Sequence, residues 1–487
     1  MHDTMDILSR LAGWLDRPGF PWKSLIISFS LGEYLLENWL AFRQYRVLQG
    51  TKVPKQLQNE VDQATFDKSQ ASHTYSSAYG RAKAKYGFVS GLISQVKSLA
   101  VIRYDFYPRF WALTGLALTR YLPASCQGEI AHSLLFVFAS SFIETILSLP
   151  LSYYHHFVLE EKFGFNKQTI GLWVTDLLKG QALSIAFGVP LGWAFLKIIQ
   201  KTGDKFFYYL WLFALGVQLF AITIYPIVIV PLFNKLTPLE PGPLKVAVEA
   251  LAQRLNFPLS ELQVIDGSKR SAHSNAYFTG LPWKKKIVIY DTLIEKSDTK
   301  EIEAVLAHEL GHWKMGHTTK LLLISQVHLF YMFALFSVFI NNQSLYNAFG
   351  FTRERPIMIG FILFNEVLAP TDSVIKLLMN IMTRKMEFEA GMLHGCKIMK
   401  IYANVLGIDN FSLKLGYSAE LASSLIKLQI QNLSSMDADW MYSSFHYSHP
   451  ILTERLKAVG WTSEKKVSQE KEEVLDEKTA EATGREL

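Results

Sequence analysis

Residues 211–233, WLFALGVQLFAITIYPIVIVPLF, hold no charged side chain and exceed the roughly 20 residues that cross a bilayer core as a helix. A stretch of that length and composition reads as a membrane span and makes the chain an α-helical integral membrane protein. The same criterion applied outward gives seven transmembrane helices, at about 20–41, 105–122, 131–151, 182–200, 208–232, 320–341 and 356–381. The first carries Glu33 and Glu37 and is followed by no small-residue cleavage site, so it reads as an anchor rather than a removable signal. Composition agrees. Of 487 residues 49% are hydrophobic and only 19% charged, which excludes disordered and fibrous classes and an ordinary soluble enzyme. The net charge of +6 gathers into no basic stripe, so nucleic acid is not an expected partner. Only Cys126 and Cys396 occur, so there is no disulfide framework, and any metal must be held by His and carboxylates.

Orientation follows from Lys and Arg, which cytoplasmic loops retain. The 42–104 loop carries Arg43, Arg46, Lys52, Lys55, Lys68, Arg81, Lys83, Lys85, Lys97 and Arg103, whereas 123–130 carries none. Residues 1–19 are therefore expected in the lumen, and the 233–319 segment and the carboxy terminus in the cytosol. Several spans contain groups that lipid does not tolerate: Glu33, Glu37, Glu144, Asn365, Glu366 and Asp372. Singly, each reads as an interhelical hydrogen-bonding group; together they suggest a polar interior.

Between the fifth and sixth spans lies a polar segment with its own organisation. LQVIDGS (262–268), SNAYFTG (274–280) and KKIVIYDTL (285–293) have the content of short strands separated by turn residues. A helix follows, opened by the capping pair Asp298 and Glu301, with Ile302, Val305, Leu306 and Leu310 at helical spacing. On it stands HELGH, His308 to His312. Two His at i and i+4 share a helix face and can reach one Zn2+, while Glu309 can act as general base on the water that the metal activates. His317, one turn on, reads as a polar boundary residue. A third ligand is expected from RKMEFEA (384–390), where spacing alone does not choose between Glu387 and Glu389. YSSFHYSHPILTERL (442–456) supplies His446, His449 and Arg455.

HSNAYFTG (273–280), VLAHELGHW (305–313), EFEA (387–390) and YSHPILTERL (447–456), with PLSYYHHFVLEEKFGFNKQT (150–169) and PLFNKLTPLE (231–240), together resemble the type I CaaX prenyl proteases, from about residue 20 to residue 460. The resemblance implies seven transmembrane helices forming a barrel around a water-filled chamber, with a gluzincin-type HExxH domain containing a small β-sheet, split between 233–319 and 382–461. It implies one Zn2+ per chain, held by His308, His312 and Glu387, with Glu309 as the catalytic base. Asn275 and Ala276 would hold the substrate backbone as an added strand, His449 would donate to the oxyanion, and Arg455 would brace that segment. Implied partners are prenylated CaaX proteins or peptides, which lose three C-terminal residues, and membrane lipid. A second, upstream cut in pheromone-type precursors is a further family property. Residence in the endoplasmic reticulum membrane, and also in the inner nuclear membrane, is implied likewise. The shared motifs leave room for two other readings, a broader quality-control peptidase of membrane proteins and a catalytically weak membrane binding protein.

The chain departs from the family pattern after EFEA, where Gly391 replaces Asp. The pattern resumes at Asp409, so residues 391–408 read as an insertion, real or retained from an intron. Asp409 is expected to accept a hydrogen bond from a zinc-bound His and so orient its ring. A continuous helix through the insertion would carry it about 27 Å away, whereas a looped-out insertion would return it. The segment 462–487 is charged, lacks aromatics and reads as a solvated tail. Asn342-Gln343-Ser344 is a glycosylation sequon in an expected lumenal loop.

Overall fold

Backbone groups inside a bilayer must hydrogen-bond within their own segment, so apolar runs of spanning length fold as helices. The computed structural model describes residues 2–50, 63–281, 283–388, 415–435 and 437–458. The stretches read as spans lie on the helices Trp22–Val47, Phe106–Tyr121, Glu129–Tyr154, Ile170–Thr202, Phe206–Ile224, His317–Phe339 and Ile357–Phe388. Among the described residues four helical segments combine the length and apolar composition of a crossing, namely Glu129–Glu160, Ile170–Phe233, His317–Phe339 and Ile357–Glu387. Ile170–Phe233 is 64 residues long and contains both the fourth and the fifth expected spans. Phe106–Tyr121 is shorter, at 16 residues, and Trp22–Val47 carries Lys23, Glu33, Glu37, Arg43 and Arg46. The insertion 391–408, Asp409 and the tail lie outside the described residues.

The chain divides into two compact units. The first comprises Met1–Trp39, Tyr86–Phe233 and Thr319–Ile375. Its core is aromatic: Trp22, Phe136, Phe336, Tyr346, Phe349 and Phe364 are fully buried. The Phe336 ring meets Phe206, Phe361 and Phe364 at centroid distances of 5.6, 5.1 and 5.3 Å. Close packing sets one glycine. A Cβ on Gly360 would come 2.0 Å from the Tyr346 hydroxyl, whose proton is donated to the Pro356 carbonyl at 3.0 Å. Leu147, Leu178, Phe220 and Val327 are exposed apolar side chains on these helices.

The polar groups of the spans have partners on other helices. Ser373 donates to Glu33, Lys97 pairs with Glu144, and the Tyr107 hydroxyl donates to Glu366 at 3.2 Å. Asn365 instead donates to the Phe361 carbonyl of its own helix at 2.6 Å. The interhelical reading thus holds for Glu33, Glu144 and Glu366. Asn342 is also built in: it is 1% exposed, and its side-chain oxygen accepts from the Leu345 amide at 2.8 Å, capping the helix Gln343–Ala348. The folded protein therefore does not display this sequon.

The second unit comprises Leu40–Lys85, Asn234–Thr318 and Lys376–Leu487. Its four-stranded sheet has the order β1-β2-β4-β3, with β1 Leu236–Pro238, β2 Leu259–Ile265, β3 Ala276–Leu281 and β4 Lys284–Tyr290. β2 and β4 run parallel, and the other pairs are antiparallel. Three of the strands answer the expected ones, shifted at their ends; β1 was not expected, being three residues long. The expected run 285–293 stops at Tyr290 because Asp291 accepts from the Ser268 amide at 3.0 Å and from the Thr292 amide at 2.8 Å, opening the helix Asp291–Lys296. The same bond ends β2, since Gly267–Lys269 turns instead of extending.

Ile287 and Ile289 of the central strand are buried with Val248, Leu251, Ile302, Leu306 and Leu310, so the helices Pro243–Leu255 and Thr299–Lys314 share one core with the sheet. The capping box is present in full: Asp298 accepts from the Glu301 amide at 2.9 Å, and Glu301 accepts from the Asp298 amide at 3.1 Å. Asp298→Ala leaves a helix-end donor without its partner and is expected to destabilise the fold by about 1 kcal/mol. Thermal unfolding in detergent checks this, and an unchanged midpoint would contradict it.

Candidate metal centre

Thr299–Lys314 presents its apolar stripe to the sheet core and turns His308 and His312 to another face, with ring centroids 5.1 Å apart. The helix Ile357–Phe388 brings Glu387 to them. Its carboxylate oxygens lie 3.3 Å from His308 Nε2 and 3.2 Å from His312 Nε2, and one donor atom from each of the three residues falls within 4.8 Å of the others. Glu387 is 2% exposed and His308 5%. Neutral imidazole nitrogens and a carboxylate oxygen are all lone-pair donors, so their convergence in a buried place fits a cation, with the two-His, one-carboxylate set of a catalytic zinc site. Of the two carboxylates that spacing could not separate, Glu387 occupies this position; Glu389 lies outside the described residues.

The supporting bonds explain how two helices hold such a geometry. Ser423 and Lys427, on the helix Ser418–Gln431, bind the Glu301 carboxylate at 2.9 and 2.6 Å, and the Tyr417 hydroxyl donates to Glu303 at 2.6 Å. Burial and the Glu303 charge push the Tyr417 phenol up to about 12, so it remains a donor at neutral pH. On the other side Arg384, one turn before Glu387, pairs with Glu454 at 2.9 Å, and Asn380 donates to the Phe445 carbonyl at 2.6 Å.

The remaining expected residues fall as follows. His449 Nδ1 lies 2.9 Å from Glu387 Oε1, on a side chain 63% exposed. Arg455 Nη2 stands 3.3 and 3.4 Å from the two His308 ring nitrogens; it touches a candidate ligand directly, beyond the bracing expected of it. Glu309 is half-buried beside His308. Asn275 is exposed at the start of β3, which is one of the two edge strands of the sheet among the described residues and packs on the helix of the two His. The approach to β3 is pinned: Thr292 donates to the His273 carbonyl at 2.9 Å, Lys296 to the Ala272 carbonyl at 2.6 Å, and the His273 ring meets Asn432 Oδ1 at 3.2 Å. Ala276 pairs with Ile289 of β4. Asp409 is outside the described residues.

His317 stands at the boundary expected of it, as the first residue of the helix His317–Phe339, and makes a further contact. His317 is 2% exposed, and its Nδ1 lies 3.2 Å from His312 Nδ1, one ring nitrogen donating and the other accepting. Helical periodicity could not reveal this, because the helix ends at Lys314 and Gly316, at φ +68°, breaks the helical phase before His317. A bond at Nδ1 fixes the His312 ring and leaves its Nε2 toward Glu387.

Known proteins resemble the chain along most of its length. A family model described as the CAAX prenyl protease N-terminal region, with five membrane helices, matches residues 44–235, and one for peptidase family M48 matches residues 238–462. CAAX prenyl protease 1 of Saccharomyces cerevisiae is 44% identical over 469 residues, covering 93% of this chain and 98% of the relative. The CAAX prenyl protease 1 homolog of Homo sapiens is 37% identical over 473 residues, covering 89% and 94%. The crystal structure of S. mikatae Ste24p superposes with a TM-score of 0.81 at 44% identity, over 91% of this chain and 100% of that one. For His317→Ala the expected outcome is roughly a 10- to 100-fold loss of zinc affinity, as for other bonds that orient a ligand from behind. Chelator competition measures it, and unchanged affinity would remove His317 from the site.

Proposed function

The chain belongs to peptidase family M48, with the membrane-helical amino-terminal region of the CAAX prenyl proteases, and from that premise we propose that it cuts farnesylated CaaX proteins after the prenylated Cys and releases their last three residues. It is a metalloprotease and a multi-pass membrane protein. The observation that carries the proposal is the buried convergence of His308, His312 and Glu387, with Glu309 adjacent to a ligand, in a chain whose apolar helices suit a lipid-anchored substrate.

Zinc, one ion per chain held by His308, His312 and Glu387, supplies Lewis acidity to a water molecule and to the scissile carbonyl when bound. Glu309 takes the proton of the attacking water and later delivers it to the leaving amine as the C–N bond breaks, so the carboxylate is regenerated. His449, exposed at the mouth of the site, donates to the carbonyl oxygen as it becomes an oxyanion. Arg455 adds a fixed positive charge beside His308. Asn275 and Ala276 align the substrate as a strand added to the β3 edge, a mode that reads the main chain and tolerates varied side chains. The isoprenoid stays in apolar surroundings while the peptide reaches polar donors.

Seven crossings around a water-filled chamber, residence in the endoplasmic reticulum membrane, a lumenal amino terminus and a cytosolic protease segment complete the reading. The polar groups that recur on the spans and the basic 42–104 loop support it.

The test is cleavage of a farnesylated CaaX peptide and its unprenylated twin by the purified protein. Only the prenylated peptide should be cut, with activity lost to a chelator and restored by zinc; equal cleavage of both would favour a quality-control peptidase. Glu309→Ala should lower kcat by at least about 100-fold with one zinc per chain retained, and persistent activity would overturn Glu309 as the base.

A further inference from the structure

The candidate oxyanion donor His449 is held weakly by its own surroundings. Its side chain is mostly exposed, with one bond to Glu387. Three residues before it ends the helix Trp440–His446, which at 7 residues is too short to be stable alone. The start of that helix, however, is gripped by the end of the helix Trp22–Val47. Arg43 Nε and Nη2 donate to the two carboxylate oxygens of Asp439 at 3.0 and 2.8 Å, a fork-on-fork pair. Asp439 Oδ1 in turn accepts from the Met441 and Tyr442 amides, each at 3.1 Å, and so caps the helix. Gln44, 4% exposed, accepts from the Asp439 amide at 2.7 Å and donates to the Asp437 carbonyl at 3.4 Å. The Arg43 bond holds the Asp439 carboxyl below the usual carboxylate range, which keeps the pair charged at neutral pH.

An ion pair at a partly exposed position adds little stability, yet here a bidentate pair, a double cap and a buried amide converge on Asp437 and Asp439. The Phe445 carbonyl bond from Asn380 and the Lys376 ammonium 4.8 Å from the Phe445 ring fix the other end of the same helix. What this doubly held segment delivers is His449.

We propose that Arg43 and Gln44 are positioning residues for His449, gripping the Asp437–Asp439 turn so that the short helix presents the imidazole at Glu387. This rests on the oxyanion role proposed for His449. Misplacing a catalytic group by about 1 Å can cost roughly 100-fold in rate, so a loosened grip is expected to act on kcat and to spare KM and zinc content.

The experiment is a cycle of Arg43→Ala and His449→Ala in the full-length protein, with farnesylated peptide cleavage, bound zinc and amide hydrogen exchange as readouts. Arg43→Ala should lower kcat roughly 10-fold, with KM and zinc unchanged, and Arg43→Lys should restore part of the loss. In the His449→Ala background Arg43→Ala should cost nothing more, because residues acting through one group are not additive. Exchange should quicken across 440–449 and stay unchanged in Thr299–Lys314. The same fold loss in both backgrounds, loss of zinc, or faster exchange throughout would overturn the proposal; Gln44→Ala repeats the cycle where Arg43→Ala fails to accumulate. If His449→Ala alone leaves kcat unchanged, the reading of His449 itself fails and the proposal goes with it.

Discussion

A carboxylate buried to 2% exposure between two imidazoles is the constraint on which the second unit turns. Taking such a charge out of water costs several kcal/mol unless a cation or strong donors face it. Three lone-pair donors drawn together from two helices make the place favourable for a divalent cation and unfavourable for almost anything else. The geometry cannot be left to the donors themselves, because each sits on a helix that must be fixed in rotation and along its axis. That accounts for the bonds that brace both helices: Ser423 and Lys427 on Glu301, Tyr417 on Glu303, Arg384 on Glu454. Each limits how far a donor can drift.

The membrane imposes a different constraint on the first unit. Hydrocarbon gives helices no hydrophobic reason to associate, so contacts between them rest on packing and on buried polar bonds. The dense ring packing around Phe336 and the Gly360 approach to Tyr346 supply the first. Glu33 with Ser373, Glu144 with Lys97 and Glu366 with Tyr107 supply the second. Intramembrane carboxylates thus do structural work here in pairs, whatever water they also meet.

How much of this could be read from the chain depended on the range of the interaction. Local periodicity gave the helix of His308 and His312, its cap and three of the four strands, since each is set by neighbours within a few residues. Length and apolarity located the helices of the spans. Spacing failed at Glu387 against Glu389, where only the partner helix decides, and at His317, where Gly316 breaks the periodicity that would have flagged it. The Arg43–Asp439 pair joins residues 396 positions apart, and no local pattern marks either one. The Asn342 sequon has the same limit: three residues define the motif, while its burial comes from the fold around it.

Residues around the metal centre stand at the ends of apolar helices. His317, bonded to the back of His312, is the first residue of the helix His317–Phe339. Glu387 stands one residue from the end of Ile357–Phe388. Glu387 and the His317 that bonds His312 thus both belong to helices of apolar composition. A soluble protease would gain nothing from that arrangement, because its substrate arrives from water in any orientation. The prenylated substrate proposed above would carry its cleavable bond next to the isoprenoid-bearing Cys, which calls for polar hydrolytic groups in a chain that also offers apolar surface.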